Sequence, residues 1–66
     1  MIALTLNGQP HDSAGKSVSD LPRELKLAPE TLLIEHNGIA LLRSEWTETL
    51  LQKGDRIEIL RVAAGG

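Results

Sequence analysis

Hydrophobic and polar positions alternate at the start of the chain. Ile2, Leu4 and Leu6 take turns with Ala3 and Thr5, the period-two pattern of a strand with one buried face. Asn7-Gly8 follows at once, and this pair suits a type I′ turn because both central residues need positive φ. Residues 9–13 then read as the returning strand, and Pro10, which has no N–H to donate to a ladder, assigns that strand to a sheet edge. Ala14-Gly15-Lys16 breaks the pattern. Ser17 with Asp20 three residues on has the form of a helix-capping box, Asp standing where Glu is usual. Val18, Leu21 and Leu25 fall at helical spacing and would press one face of a short helix onto the sheet. Pro22 leaves the helix start open: a cap at Ser17 would make it a kink, whereas a cap at Ser19 would place it in the first turn. Pro29 stops any continuation.

Alternation resumes over residues 31–36, with Leu32 and Ile34 on one face and Leu33 and Glu35 on the other. A second Asn-Gly pair, Asn37-Gly38, turns the chain into a short fourth strand over 39–42. Residues 43–46 read as one helical or 3₁₀ turn capped by Ser44, with Trp46 packed over one end of the core. Lys53-Gly54-Asp55 is a turn into a last strand over 56–62, which shows Ile57 and Ile59 to one side and Glu58, Leu60 and Val62 to the other. The order strand, strand, helix, strand, strand, short turn, strand describes an α+β domain with two hairpins and one helical crossover on a mixed sheet of about five strands. It divides into a body, 1–62, and a patternless tail, 63–66, expected to be flexible.

Length and composition narrow the functions open to this body. A chain of 66 residues is one domain. At that size only about 60% of the unfolded surface is buried, which weighs against a deep substrate cavity and so against an enzyme. Cysteine is absent, which removes disulfides, thiolate metal sites and thiol nucleophiles and suits a reducing cytoplasm. Seven basic and nine acidic residues are scattered, giving −2 overall, and Trp46 is the one aromatic residue. Neither a basic footprint nor a stacking platform for nucleic acid is present. No apolar run reaches membrane-spanning length.

Catalytic groups are sparse. His11 and His36 each adjoin a carboxylate in sequence, Asp12 and Glu35, but strand neighbours point to opposite faces, so neither pair forms a dyad. Both histidines read as solvated surface residues, and Ser13 is near His11 in sequence only. No zinc spacing, phosphate-binding glycine loop or nucleophile elbow occurs, so neither a metal site nor a stably bound cofactor is expected.

What remains is Ala63-Ala64-Gly65-Gly66. Four extended residues reach roughly 13 Å, enough to enter a recessed site on another protein. Glycine adopts backbone angles closed to other residues and leaves no Cβ beside the acyl carbon to obstruct attack. The Gly66 α-carboxylate is therefore a candidate reactive group. It is a poor electrophile as it stands, so a partner must activate it. On the dipeptide alone, a frayed end is the better explanation of two glycines.

Over essentially the whole chain the sequence resembles the ThiS family, the ubiquitin-like (β-grasp) sulfur carriers of thiamine biosynthesis. The resemblance lies in the opening hairpin ending Asn7-Gly8, in Asn37-Gly38, in Arg43, Ser44, Glu45 and Trp46, in Gly54-Asp55 before Arg56 and Ile57, and in the ending from Val62 to Gly66. Pro22 departs from the usual helix. The resemblance implies a carrier with no catalytic residues of its own. A ThiF-like adenylyltransferase would use ATP to adenylate Gly66, and a persulfide donor would displace AMP to leave a C-terminal thiocarboxylate. A ThiG-like thiazole synthase would then take the sulfur. Leu60 and Val62 are the expected docking patch beside the tail, provided Ile57 and Ile59 face the helix; the reverse assignment is the competing one. The free carrier is expected to be monomeric and cytoplasmic. Three rivals stand beside this reading: the small subunit of molybdopterin synthase, a ubiquitin-like interaction module whose tail is inert, and conjugation of the tail to lysines as for ubiquitin.

Overall fold

The computed structural model describes residues 1–62, so the tail assigned to 63–66 lies outside the described residues. The elements are β1 (Ile2–Leu6), β2 (Gln9–Ser13), α1 (Asp20–Glu24), a 3₁₀ turn at Pro29–Thr31, β3 (Leu32–His36), β4 (Ile39–Leu41), a second 3₁₀ turn at Arg43–Glu45, and β5 (Arg56–Arg61). They form one five-stranded sheet in the order β2-β1-β5-β3-β4. β1 and β5 run parallel, and the other neighbours are antiparallel. This is the mixed α+β sheet expected, with β2, the strand holding Pro10, at an edge.

The two Asn-Gly pairs turn the chain as their chemistry requires: Asn7 and Gly8 have φ of 50° and 81°, Asn37 and Gly38 of 52° and 85°. Both asparagines also reach across to the last strand. The Asn7 side chain accepts from the Ile59 N–H at 2.7 Å and donates to the Ile59 carbonyl at 3.1 Å. Asn37 Oδ1 accepts from the Arg56 N–H at 2.8 Å, and Asn37 Nδ2 donates to Asp55 at 3.1 Å. β5 enters the sheet last in sequence, and these amides fix its register from both sides.

The helix resolves the ambiguity around Pro22. Its N-cap position is Ser19, so Pro22 lies in the first turn, where an N–H has no intrahelical partner to lose. The capping box expected of Ser17 and Asp20 does not form: the N-cap makes no side-chain bond, the Ser17 hydroxyl pairs with that of Ser19, and the Asp20 carboxylate accepts from the Lys16 and Ser17 N–H groups ahead of the helix, at 2.8 and 3.0 Å. The helix stops at Glu24, well before Pro29. Lys26 takes a left-handed φ of 59°, and the Leu27 and Lys26 N–H groups donate back to Pro22 and Arg23, the geometry of a Schellman motif. Pro29 instead opens a 3₁₀ turn that the alternation pattern had assigned partly to β3. The turn at Arg43–Glu45 is present, but Ser44 does not cap it; the flanking position is Leu42, whose N–H donates to the Glu45 carboxylate at 2.6 Å.

Leu4, Val18, Leu21, Leu32, Ile34, Trp46, Leu51, Ile57 and Ile59 form the core between sheet and helix. Trp46 is buried as expected, and its indole N–H has no hydrogen-bond partner among the described residues.

Candidate functional site

β5 is the element that leads to the tail, and its two faces differ. Ile57 and Ile59 are 0% and 6% exposed against the helix side. Leu60 and Val62 are 55% and 43% exposed on the open side. The apolar positions proposed for docking therefore face solvent, and the competing assignment is excluded. The strand is held up to its last described residue. Thr5 and Asn7 donate to Asp55 and Ile57 across the parallel pair, and the Val62 N–H donates to the Thr31 carbonyl at 2.8 Å. Ala63, Ala64, Gly65 and Gly66 lie outside the described residues.

The open face holds more apolar surface than Leu60 and Val62 alone. Leu33, also 55% exposed, stands directly opposite Leu60 in the β3–β5 register. β3 and β4 pair Ile34 with Leu41, and the next step of that register sets Leu42, 69% exposed, beside Leu33. Sequence reasoning missed Leu33 and Leu42 as members of this face. The alternation put Leu33 on the face opposite Leu32 and Ile34, but only the strand order shows that β3 is the neighbour of β5.

The histidines and their carboxylate partners are engaged elsewhere. His11 and His36 are not the solvated histidines expected: each is half-buried and bonded to a carboxylate distant in sequence. His11 Nε2 meets Glu24 at 2.7 Å, and His36 Nε2 meets Asp55 at 2.9 Å. Ser13 is fully buried and donates to the other Glu24 oxygen at 3.1 Å, while the Ala14 N–H donates to that same oxygen at 2.9 Å. Ser13 and His11 thus share one carboxylate, and a buried hydroxyl spent in this way cannot serve as a nucleophile on an outside substrate. Asp55 accepts from His36, from Asn37 and from the Gln52 N–H. Burial pushes the Asp55 and Glu24 carboxyls up. Their hydrogen bonds outweigh that effect, led by those from His36 and His11 respectively, and hold both below the usual range. The Lys16 and Ser17 N–H groups, in that order, lower Asp20.

Beside Glu24 lies an open depression of about 440 Å³ lined by Ala14, Gly15, Lys16, Asp20, Arg23 and Glu24. Its two carboxylates already accept from the backbone, so neither stands free as an acid or base. Among the described residues, no three His, Cys, Asp or Glu side chains are grouped to hold a metal ion, and no helix is long and apolar enough to cross a membrane.

Comparison with known proteins agrees with this geometry. The model of the ThiS family matches residues 4–66. A crystal structure of the thiamine biosynthesis protein ThiS from Geobacter metallireducens superposes with a TM-score of 0.82 at 35% identity, over 98% of this chain and 100% of that one. A solution structure of a thiamine biosynthesis protein from the same organism gives 0.78 at 35% identity, over 98% and 88%. A thiazole synthase of Magnetococcus marinus is 36% identical over 62 residues. Those residues cover 92% of this chain and 19% of the synthase, so the chain spans about a fifth of that relative's length.

Proposed function

The chain belongs to the ThiS family, and from that membership we propose that it is a sulfur carrier of thiazole formation whose reactive group is the Gly66 carboxylate. One observation carries the reading: the family match runs the length of the body and on through the Gly-Gly ending. The body supplies a strand pinned on both sides that leads to the tail, and beside it an exposed apolar face.

The chemistry follows from the weakness of a carboxylate as an electrophile. A Gly66 oxygen attacks the α-phosphorus of ATP in an adenylating ThiF-like partner, releasing pyrophosphate and leaving an acyl adenylate. The terminal sulfur of a persulfide donor attacks the acyl carbon and expels AMP. A second thiol cleaves the resulting S–S bond and frees the thiocarboxylate, while the donor leaves as a disulfide. The thiocarboxylate sulfur is a far better nucleophile than the oxygen it replaced.

A thiazole synthase is the acceptor this reading favours, because a relative bearing that name contains a segment similar to 92% of this chain. Both solved structures are thiamine biosynthesis proteins, which favours thiamine over a molybdopterin acceptor. The acids and bases of each step belong to the partners, since Glu24, Asp55, His11 and His36 are bound to one another inside this chain. A cycle that uses ATP and a persulfide donor is expected in a reducing cytoplasm, with which a chain without cysteine is compatible. Intact-mass measurement after incubation with the adenylating partner, ATP and a persulfide donor tests the proposal. Exchange of one C-terminal oxygen for sulfur is expected; an unchanged mass rejects it in favour of an inert module.

A further inference from the structure

The open sheet face carries two carboxylates as well as its leucines. Glu35 on β3 and Glu58 on β5 stand directly opposite one another, one pair along from Leu33 opposite Leu60. Like charges in that position repel across the strands and weaken the sheet. Neither carboxylate takes part in a hydrogen bond or an ion pair among the described residues, in contrast to Asp20, Glu24 and Asp55. The nearest basic residue on the same face of β5, Arg56, does not neutralise them. Its guanidinium extends over the Asn37-Gly38 turn, where a Cβ added to Gly38 would lie 3.5 Å from a terminal nitrogen.

We propose that Glu35 and Glu58 receive an arginine or lysine from a partner protein that covers the Leu33, Leu42, Leu60 and Val62 row. The inference rests on the sulfur-carrier reading and names the chemistry of the surface to which the carrier docks. Alternate residues on one strand lie roughly 7 Å apart, so any protein seated on Leu33 and Leu60 also covers the carboxylates two positions away. Desolvating two facing carboxylates without a counter-charge is costly, and a cation from the partner removes both that cost and the repulsion already present in the free chain. A guanidinium, planar and able to donate to two carboxylates at once, fits the site better than an ammonium. The same charges act against the other occupants of an apolar face: a second copy would bring four carboxylates together, and an anionic lipid surface or a nucleic acid would add to the repulsion.

Binding of the full chain to its cognate adenylating enzyme, by calorimetry at low and high salt, tests this with E35Q/E58Q and L33A/L60A. E35Q/E58Q is expected to bind about tenfold more weakly at low salt and to lose most of the salt dependence. Its own Tm should rise by roughly 1–5 °C as the repulsion is removed. L33A/L60A should also bind more weakly while keeping the wild-type salt dependence. A Tm gain with unchanged affinity would overturn the proposal, because the pair would then be only an unfavourable contact. So would a wild-type chain that dimerises through this face, or one with no affinity for the enzyme. Wild type that acquires sulfur while E35Q/E58Q keeps full affinity rejects this inference alone; wild type that acquires none rejects the carrier reading.

Discussion

The two sides of the sheet are built on opposite terms. Towards the helix, each carboxylate that could act has a partner: Glu24 holds His11, Ser13 and the Ala14 N–H, and Asp55 holds His36, Asn37 and the Gln52 N–H. Towards solvent, Leu33 and Leu60 lie exposed in one pair, and Glu35 and Glu58 face each other in the next. The inner side spends its chemistry on tying β2 to α1 and the end of β3 to the start of β5. The outer side leaves unmet contacts that a partner can meet. Ionisable groups found together in this small body are therefore not evidence of an active site, whereas the exposed leucines and carboxylates beside β5 are the surface that the proposed docking would use.

The most severe break is at residues 63–66, which lie outside the described residues. Deleting Gly66 is expected to abolish thiocarboxylate formation by intact mass while leaving the circular dichroism spectrum and Tm unchanged. An unfolded deletion variant would show instead that the ending supports the core.

Substitutions on the two faces of β5 separate packing from docking. Ile57→Ala on the inner side should cost about 2–5 kcal/mol in urea denaturation, since Ile57 is fully buried. In a domain of this size that is a large share of the total stability. Leu60→Ala on the outer side should change stability by less than about 0.5 kcal/mol and yet weaken docking. Equal stability losses at the two positions would refute the assignment of faces.

Asp55→Asn tests the inner network. An amide cannot accept from Asn37, His36 and the Gln52 N–H together without setting two donors against each other, and about 1–3 kcal/mol of stability should be lost at neutral pH. The pH dependence has a definite sign. Asp55 and Glu24 titrate below their ordinary values of 3.8 and 4.5 in the folded chain, so the unfolded chain binds more protons in acid. Their contribution is complete above those ordinary values and is lost as the pH falls through them towards the lower folded values. Wild-type Tm should fall over that window, and Asp55→Asn should flatten the fall. An identical acid profile for the two proteins would remove Asp55 from the account.

Much of this arrangement was legible from local pattern. Alternation at Ile2, Leu4 and Leu6 and at Ile57 and Ile59 marks strands whatever surrounds them, and Asn-Gly demands its turn because few other pairs tolerate two positive φ values. What local pattern could not convey was long-range. His11 meets Glu24 and His36 meets Asp55 across 13 and 19 positions, and no spacing rule connects them. The asparagine side chains reach β5 only because β5 inserts between β1 and β3, a fact of topology. The same insertion brings Leu33 opposite Leu60 and Glu35 opposite Glu58, so half of the proposed docking face became visible only with the strand order. Helix α1 was blurred for a different reason: Lys26, lacking the usual glycine signal, closes it in a left-handed conformation.

The central claim is that this body only presents a terminal acyl group and that Gly66 is where activation happens. Its most direct test compares sulfur delivery to a thiazole synthase by the native chain and by one whose C-terminus is a carboxamide. Delivery by the native chain alone is the predicted result; equal delivery by the amidated chain would contradict the account.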